Sequence, residues 1–349
     1  MRDRSVILGI ETSCDETAAA LLVDGEIVAD RTTRQVLHEY YGGVVPELAS
    51  RAHERLLAPA VQSILNEAGL KPSDVTGVAV TYGPGLAGAL LVGLSFAKGY
   101  SGAMGIPFWA INHIEAHLWI AQLTHGTLPL PSLALIVSGG HTLLIAVEGL
   151  GKYKFLGSTK DDAVGELFDK VGRVIGFPFP AGAQIDKLAI EYIGKPVLFP
   201  VSRVKGDPYA FSFSGIKTAV LGHITKVGAR ADSGTVRLDD EERKAICAGL
   251  MNSVYKSIAA PLSHALSEKR YEALIVAGGV SASKFLRQQL AKLTDEADVR
   301  LIIPPFHHCT DNGAMIAYLG HLLEINGVKS SSYAQDVNPS ARLHQERVQ

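Results

Sequence analysis

Residues 5–31 read SVILGIETSCDETAAALLVDGEIVADR, and this stretch decides the fold class. Ser5–Ile10 is a largely apolar run, as a strand buried on both faces requires. Glu11–Thr17 is a polar turn, Ala18–Val23 a second strand, and Asp24-Gly25 turns the chain into a third strand, Glu26–Arg31. Residues 133–149, LALIVSGGHTLLIAVEG, run in a similar way. There Leu133–Val137 leads into a polar glycine turn over Ser138–Thr142, then Leu143–Val147 and Glu148-Gly149. The two spacings differ by one residue, so the pattern suggests two related halves, each opening on an antiparallel hairpin.

Outward from the first meander, Pro46–Leu70 carries Leu48, Ala52, Leu56, Ala60, Ile64 and Ala68 at helical spacing and ends at Gly69. Gly77–Thr81 reads as a strand, Ala87–Ala103 as a helix, Phe108–Ile111 as a strand and Ile114–Leu123 as a helix. Further helices are expected near 162–175, 183–193 and 240–268. Ala273–Ala277, Ala282–Leu293, Val299–Ile303 and Asn312–Glu324 close the chain as strand, helix, strand, helix. Residues 327–349 are polar without a period and are expected to form a loosely held tail. Hairpins alternating with α/β crossovers in two halves predict two α/β domains with a cleft between them.

Composition agrees. At ~150 residues per domain, 349 residues suggest about two domains. A chain 47% hydrophobic and 19% charged is not disordered as a whole. Net charge is only -2, from 33 basic and 35 acidic residues, so any nucleic-acid contact must come from a local patch. Cys14, Cys247 and Cys309 are too few and too scattered for a disulfide framework, and a reducing compartment fits. No secretory signal precedes the first strand. The longest apolar span, Leu86–Ile111, is broken by glycines 88, 93, 99, 102 and 105 and by Pro107, which predicts a buried helix and strand and no membrane segment. A cytoplasmic protein is expected.

Several motifs carry chemistry. Gly83-Pro84-Gly85-Leu86-Ala87-Gly88 is a G-x-G-x-x-G between a strand and a helix. Phosphate contact and close helix–strand packing explain it about equally well, because the next strand ends in Asn112 and not in the acid a dinucleotide site needs. Residues 88–95 likewise miss a P-loop, with Leu94 where lysine is required. His113-Ile-Glu-Ala-His117 puts two imidazoles on one helix face, where they can share an ion. Glu115 lies two positions from each and projects elsewhere, unlike the base of a zinc protease. Asp311, in a loop that also holds His307, His308 and Cys309, is the best third ligand, although an Asp before a helix is also a natural N-cap. The paired turns 12–17 and 138–142 offer hydroxyls and backbone N–H groups for phosphates. Gly278-Gly279-Val280-Ser281 lets a sugar or adenine approach the backbone. Phe199, Tyr209, Phe211 and Phe213 interleave with Arg203, Lys205 and Lys217, a pattern that suits single-stranded nucleic acid but is more often surface with aromatic anchors.

Taken in order, Gly9-Ile-Glu-Thr-Ser-Cys-Asp-Glu-Thr17, Tyr41-Gly-Gly-Val-Val-Pro-Glu-Leu-Ala-Ser-Arg51, Gly83-Pro-Gly-Leu86, His113-Ile-Glu-Ala-His117, Val137-Ser-Gly-Gly-His-Thr142, Phe211-Ser-Phe-Ser-Gly-Ile-Lys217 and Cys309-Thr-Asp-Asn-Gly-Ala314 closely resemble the tRNA N(6)-adenosine threonylcarbamoyltransferases, the bacterial TsaD family once called glycoproteases. The resemblance covers roughly residues 5–325. It implies two duplicated α/β lobes of the actin/Hsp70/hexokinase kind around a nucleotide cleft: residues 1–125, completed by part of the C-terminal helix, and 126–326 with a helical insertion near 160–270, before the tail 327–349. It implies transfer of a threonylcarbamoyl group from threonylcarbamoyl-AMP to the exocyclic amine of the adenosine 3′ of the anticodon, in tRNAs reading codons that begin with A.

By the same resemblance His113, His117 and Asp311 hold one divalent metal ion, iron or zinc. Ile136, Val137, Ser138, Gly139, Gly140, Asp169, Gly182, Asp186 and Ser283 contact the substrate, and ATP or ADP can occupy the same cleft. Two departures stand out: Ser283 replaces an expected Asn, and Pro180-Ala-Gly-Ala183 replaces Pro-Gly-Gly-Pro while keeping Gly182. Asp15 is the expected proton acceptor and His141 its competitor. The implied partners are tRNA, a related actin-like subunit of the TsaB type, a small P-loop ATPase of the TsaE type and the synthase that supplies threonylcarbamoyl-AMP. A metallopeptidase and an actin-like ATPase or kinase are the rival enzyme readings, and a nucleotide-binding scaffold is the non-catalytic one.

Overall fold

The structure is a computed structural model that describes residues 4–230 and 236–343. The chain divides into two compact units, Met1–Thr127 with Pro304–Gln349, and Leu128–Ile303.

The first unit is built on β1 (Val6–Glu11), β2 (Glu16–Val23), β3 (Glu26–Arg34), β4 (Gly77–Gly83) and β5 (Phe108–Asn112), in the order β3-β2-β1-β4-β5. β1 runs antiparallel to β2, with Leu8 opposite Leu21, and parallel to β4, with Gly9 opposite Ala79. Helices α1 (Pro46–Ala68) and α2 (Ala87–Met104) make the crossovers, followed by α3 (His113–Trp119) and the short α4 (Gln122–His125). One face of the sheet buries Leu8, Ile10 and Leu21 with Leu57 and Ile64 of α1 and Leu94 of α2.

The second unit repeats the plan. Its sheet comprises β6 (Ser132–Val137), β7 (Thr142–Gly149), β8 (Lys152–Ser158), β11 (Ala273–Ala277) and β12 (Arg300–Ile302), ordered β12-β11-β6-β7-β8. β6 is antiparallel to β7 and parallel to β11, as β1 is to β2 and β4. The relation between the halves is therefore one of topology as well as of turn sequence. β8, not expected from sequence, is an edge strand whose exposed Lys152, Lys154 and Phe155 hid its period. Between β8 and β11 lie α5 (Val164–Val174), α6 (Gly182–Glu191), α7 (Ser214–Val227), the two-residue pair β9 (Ala229–Arg230) and β10 (Val236–Arg237), and α8 (Asp240–Glu268); α9 (Lys284–Glu296) joins β11 to β12.

Three expectations change. The stripe of α1 is rotated: Ala49, His53, Leu57, Ala60, Val61, Ile64 and Leu65 are buried, because His53 fills a core position with polar partners that hydrophobicity does not count. The aromatic–basic stretch, read as more often surface with aromatic anchors, sends two of its aromatics into the core: Phe211 and Phe213 are 1% and 0% exposed, and α7 starts directly after them.

The third change concerns the chain end, where part of the C-terminal helix was expected to complete the first lobe while the second ran to residue 326. All of α10 (Gly313–Ile325), and the chain from Pro304 onward, belongs to the first unit, where α10 packs on its sheet. A Cβ on Gly9 would sit 2.4 Å from the Ala317 nitrogen, so helix and strand backbones touch, which only glycine allows. The tail is likewise fixed as far as it is described: Ser331 N donates to Phe108 O at 2.8 Å, Trp109 Nε1 to Val328 O at 3.1 Å and Asn338 N to Tyr82 O at 2.8 Å. Among the described residues no helix is long and apolar enough to cross a membrane.

Candidate metal centre and substrate turns

β5 ends in Asn112, whose side chain caps α3 by accepting from the Ile114 and Glu115 amides at 3.0 and 3.2 Å. The cap fixes the first turn of α3, so His113 and His117, four residues apart, share a face; their ring centroids lie 4.7 Å apart. Asp311 arrives from the loop before α10. It does not cap that helix, since Asn312 does, accepting from the Met315 amide at 2.9 Å. Asp311 is thereby left to the imidazoles: its Oδ1 lies 2.9 Å from His117 Nε2 and 3.4 Å from His113 Nε2.

The three ligand atoms fall within 4.8 Å of one another. Metal–nitrogen and metal–oxygen bonds of ~2.0–2.2 Å in a tetrahedral site place ligand atoms about 3.4 Å apart, so the donor set fits one divalent ion. His117 Nδ1 is buried and has no hydrogen-bond partner among the described residues, which leaves Nε2 as the atom engaged.

Behind His113 stands Glu11, the last residue of β1 and fully buried. Burial alone would raise its carboxyl, but His113 holds it below the usual value. For His113 burial acts downward, and Asp311 and Glu11 outweigh it to raise the imidazole to about 9. The adjoining turn is crowded with acid. Burial first, then Asp311 and Asp15, push Glu16 up to about 9, while Asp15 itself is 8% exposed. Burial and Asp15 raise the Cys14 thiol well above its ordinary value, so it stays protonated. His53 fixes this turn from α1: its Nε2 lies 2.9 Å from Cys14 O and its Nδ1 2.8 Å from Thr17 Oγ1.

The Gly83–Gly88 motif resolves to packing. Gly85 N donates to Pro339 O at 3.2 Å and Leu86 N to Ser13 O at 2.8 Å, while a Cβ on Gly83 would lie 1.9 Å from Asn338 O. Those amides serve the chain's own carbonyls, not a phosphate.

The other expected site residues lie in the second unit. Ile136 and Val137 end β6, and the turn after them closes on itself: Ser138 N donates to His141 O at 2.8 Å and His141 N to Ser138 Oγ at 3.1 Å. Gly139 and Gly140 are exposed, and a Cβ on either would meet nothing within 4 Å. Gly278 (φ +91°) abuts the same strand end, where a Cβ would lie 2.4 Å from Val137 O.

Asp169 accepts from Ala181 N at 2.8 Å and so anchors the start of α6 beside Gly182. Asp186 and Ser283 bond to each other, Ser283 Oγ donating to Asp186 Oδ1 at 2.5 Å. Asp186 also accepts from the Lys284 and Phe285 amides at 3.0 and 3.1 Å, so both residues cap α9. Glu11 and His53 escaped the sequence reading. The available signals were an acid closing a fully apolar strand and a histidine inside the buried face of an amphipathic helix.

Residues 26–318 match the family described as TsaD, tRNA N6-adenosine threonylcarbamoyltransferase. The tRNA N6-adenosine threonylcarbamoyltransferase of Caldicellulosiruptor saccharolyticus is 41% identical over 340 residues, covering 97% of this chain and 98% of that protein. That of Streptococcus pneumoniae serotype 2 is 46% identical over 321 residues, covering 91% and 92%. Among solved structures, component A of (R)-2-hydroxyglutaryl-CoA dehydratase from Acidaminococcus fermentans superposes with a TM-score of 0.54 at 16% identity, covering 90% of this chain and 96% of that one. A likeness at that identity concerns fold alone and agrees with two actin-like α/β lobes. On the sequence matches, which span nearly the whole chain, the protein belongs to the TsaD family of tRNA N6-adenosine threonylcarbamoyltransferases.

Proposed function

We propose that this chain transfers the threonylcarbamoyl group of threonylcarbamoyl-AMP to N6 of the adenosine 3′ of the anticodon, in tRNAs reading codons that begin with A. The observation that carries the reading is the meeting of His113, His117 and Asp311 at one buried point, although Asp311 lies 194 residues from His117 along the chain. Family membership supports the reaction class.

In the step, the N6 lone pair attacks the carbamoyl carbonyl carbon, the bond from that carbon to the AMP phosphate oxygen breaks, and AMP leaves with the electron pair. N6 loses one proton. Its lone pair is delocalised into the ring, so the enzyme must work by positioning and by stabilising the developing oxyanion. His113, His117 and Asp311 would hold one divalent ion, iron or zinc, which when bound supplies a Lewis acid. Asp15, at the nearly buried turn after β1, is the proposed proton acceptor, with His141 as the competitor.

The exposed Ser138–His141 turn would carry the phosphate of the donor, with Ile136 and Val137 beneath it. Asp169, Gly182, Asp186 and Ser283 complete the proposed donor site, which ATP or ADP can also enter. Because Ser283 is engaged with Asp186, a weakened contact at the expected Asn position is part of the reading. The proposed partners are tRNA, a TsaB-type actin-like subunit, a TsaE-type P-loop ATPase and a threonylcarbamoyl-AMP synthase as supplier, all in the cytoplasm. No observation favours the metallopeptidase.

The test uses labelled threonylcarbamoyl-AMP and unmodified tRNA, with and without the partner proteins. Metal-dependent incorporation beside the anticodon that disappears in His117→Ala is the expected result. No incorporation with every partner present, but ATP turnover by the chain alone, overturns it in favour of a phosphotransferase.

A further inference from the structure

We infer that Glu11 is the residue that positions His113 for metal binding, by accepting a hydrogen bond from its Nδ1–H and turning Nε2 toward Asp311. Three donors converge on this carboxylate. Oε1 accepts from Ser13 N at 2.5 Å, and Oε2 accepts from Thr81 Oγ1 at 2.5 Å and from His113 Nδ1 at 3.1 Å. Ser13 Oγ lies 3.3 Å from the same ring nitrogen.

Glu11 ends a strand whose other five residues are all apolar or glycine, and it is 0% exposed. A carboxylate there costs free energy unless its partners use it fully. A carboxylate behind a ligating imidazole fixes the tautomer and the ring plane and raises the basicity of the far nitrogen. The geometry is asymmetric in a way that singles out one ligand: His113 Nδ1 is held, whereas His117 Nδ1 has no partner among the described residues. His117 instead takes its orientation from the helix and from Asp311.

This inference rests on the reading of His113, His117 and Asp311 as metal ligands, and the test separates the two. Zinc affinity of the full chain is measured by competition with a chromophoric chelator for wild type, Glu11→Gln, Glu11→Asp and His113→Ala. In Glu11→Gln an amide N–H2 meets one of the three donors, and in Glu11→Asp the carboxylate is one carbon short. Both should weaken zinc about 10–100-fold; because each leaves a buried donor poorly met, their melting temperatures fall somewhat, and affinity is compared at a temperature where circular dichroism shows every variant folded. Zinc affinity unchanged in both, with binding abolished in His113→Ala, overturns the role of Glu11 and keeps the metal site. Equal binding by wild type and His113→Ala overturns both.

Should the Glu11 variants fail to fold, cobalt-loaded wild type decides the question. Its proton spectrum should contain a paramagnetically shifted His113 Nδ1–H resonance that exchanges slowly with water. A His113 ring protonated at Nε2, or one whose Nδ1–H exchanges as fast as solvent, overturns the inference.

Discussion

The turn after β1 and the turn after β6 occupy equivalent places in sheets of the same strand order, yet they differ in exposure. In the first, Thr12, Ser13, Asp15 and Thr17 are buried, and His53 and Leu86 hold the turn's carbonyls from two helices. In the second, Gly139 and Gly140 face solvent; two hydrogen bonds close within the turn, and α5 holds its ends through Gly165 N, which donates to Ser138 O at 3.2 Å, and Val164 N, which donates to Thr142 Oγ1 at 3.2 Å. The packing around each turn separates them. Beside the first, Gly85 N donates to Pro339 O and Asn338 N to Tyr82 O, so residues after α10 close over Gly83–Gly85. One backbone plan thus yields a buried turn behind the histidines and an exposed one, which is the turn proposed to meet the donor phosphate.

The comparison can be broken at the metal ligands. His113→Ala or Asp311→Ala should remove the metal and lower transfer by ~10²-fold or more with the fold intact; metal analysis and circular dichroism would detect a metal-free variant of full activity, which would sink the reading. Asp15→Asn should keep its metal yet transfer much more slowly, and an unchanged rate removes its role.

Next come the glycines. Gly85 has φ +157°, and a Cβ there would lie 2.6 Å from Ser13 O, so Gly85→Ala should cost about 1–3 kcal/mol in denaturant unfolding. Gly139→Ala, with open space around it, should cost less than about 0.5 kcal/mol and show itself only in donor KM. Equal stability losses would mean that the two turns do not differ in packing.

A pH series sharpens the contrast further. Burial lowers the His53 imidazole below its ordinary value of 6.5, so the fold binds fewer protons there than the unfolded chain does. The stability that neutral His53 contributes is therefore complete above 6.5 and is lost as pH falls below it, with a slope of at most ~1.4 kcal/mol per pH unit. His53→Gln should flatten the curve over that window, and parallel curves for the two proteins would exclude His53 as the source.

The smallest effect is expected at Ser283. Asn caps a helix about as well as Ser, so Ser283→Asn should leave stability within about 0.5 kcal/mol while lowering donor KM a few-fold. A higher KM would show that the Ser283–Asp186 pair is the better arrangement.

Much of this was legible before any coordinates. The all-apolar strands, the turns at Asp24-Gly25 and Ser138–Thr142, the helix over 240–268 and the His-x-x-x-His spacing are local patterns with one physical reading each. Less legible were features whose neighbours are distant in sequence. The buried face of α1 is displaced by His53, whose partners are Thr17 and Cys14. Phe211 and Phe213 looked like surface aromatics because the core cluster they join is assembled from distant elements, α5 and α8 among them.

By itself the sequence determined the two-lobed α/β class, the duplicated meander, the three ligand candidates and the family, because strand burial and ligand chemistry leave their marks on neighbouring residues. Tertiary structure alone decided that the whole of α10 and the described residues 327–343 belong to the first unit, with backbone contact at Gly9. It also decided that Asn312 and not Asp311 caps α10, and that Glu11 stands behind His113. The Gly9 and Glu11 contacts join atoms about 100 to 300 residues apart, a distance over which sequence pattern carries no periodicity. The cap, by contrast, is local and turns on which of two adjacent side chains Asp311's distant partners leave free.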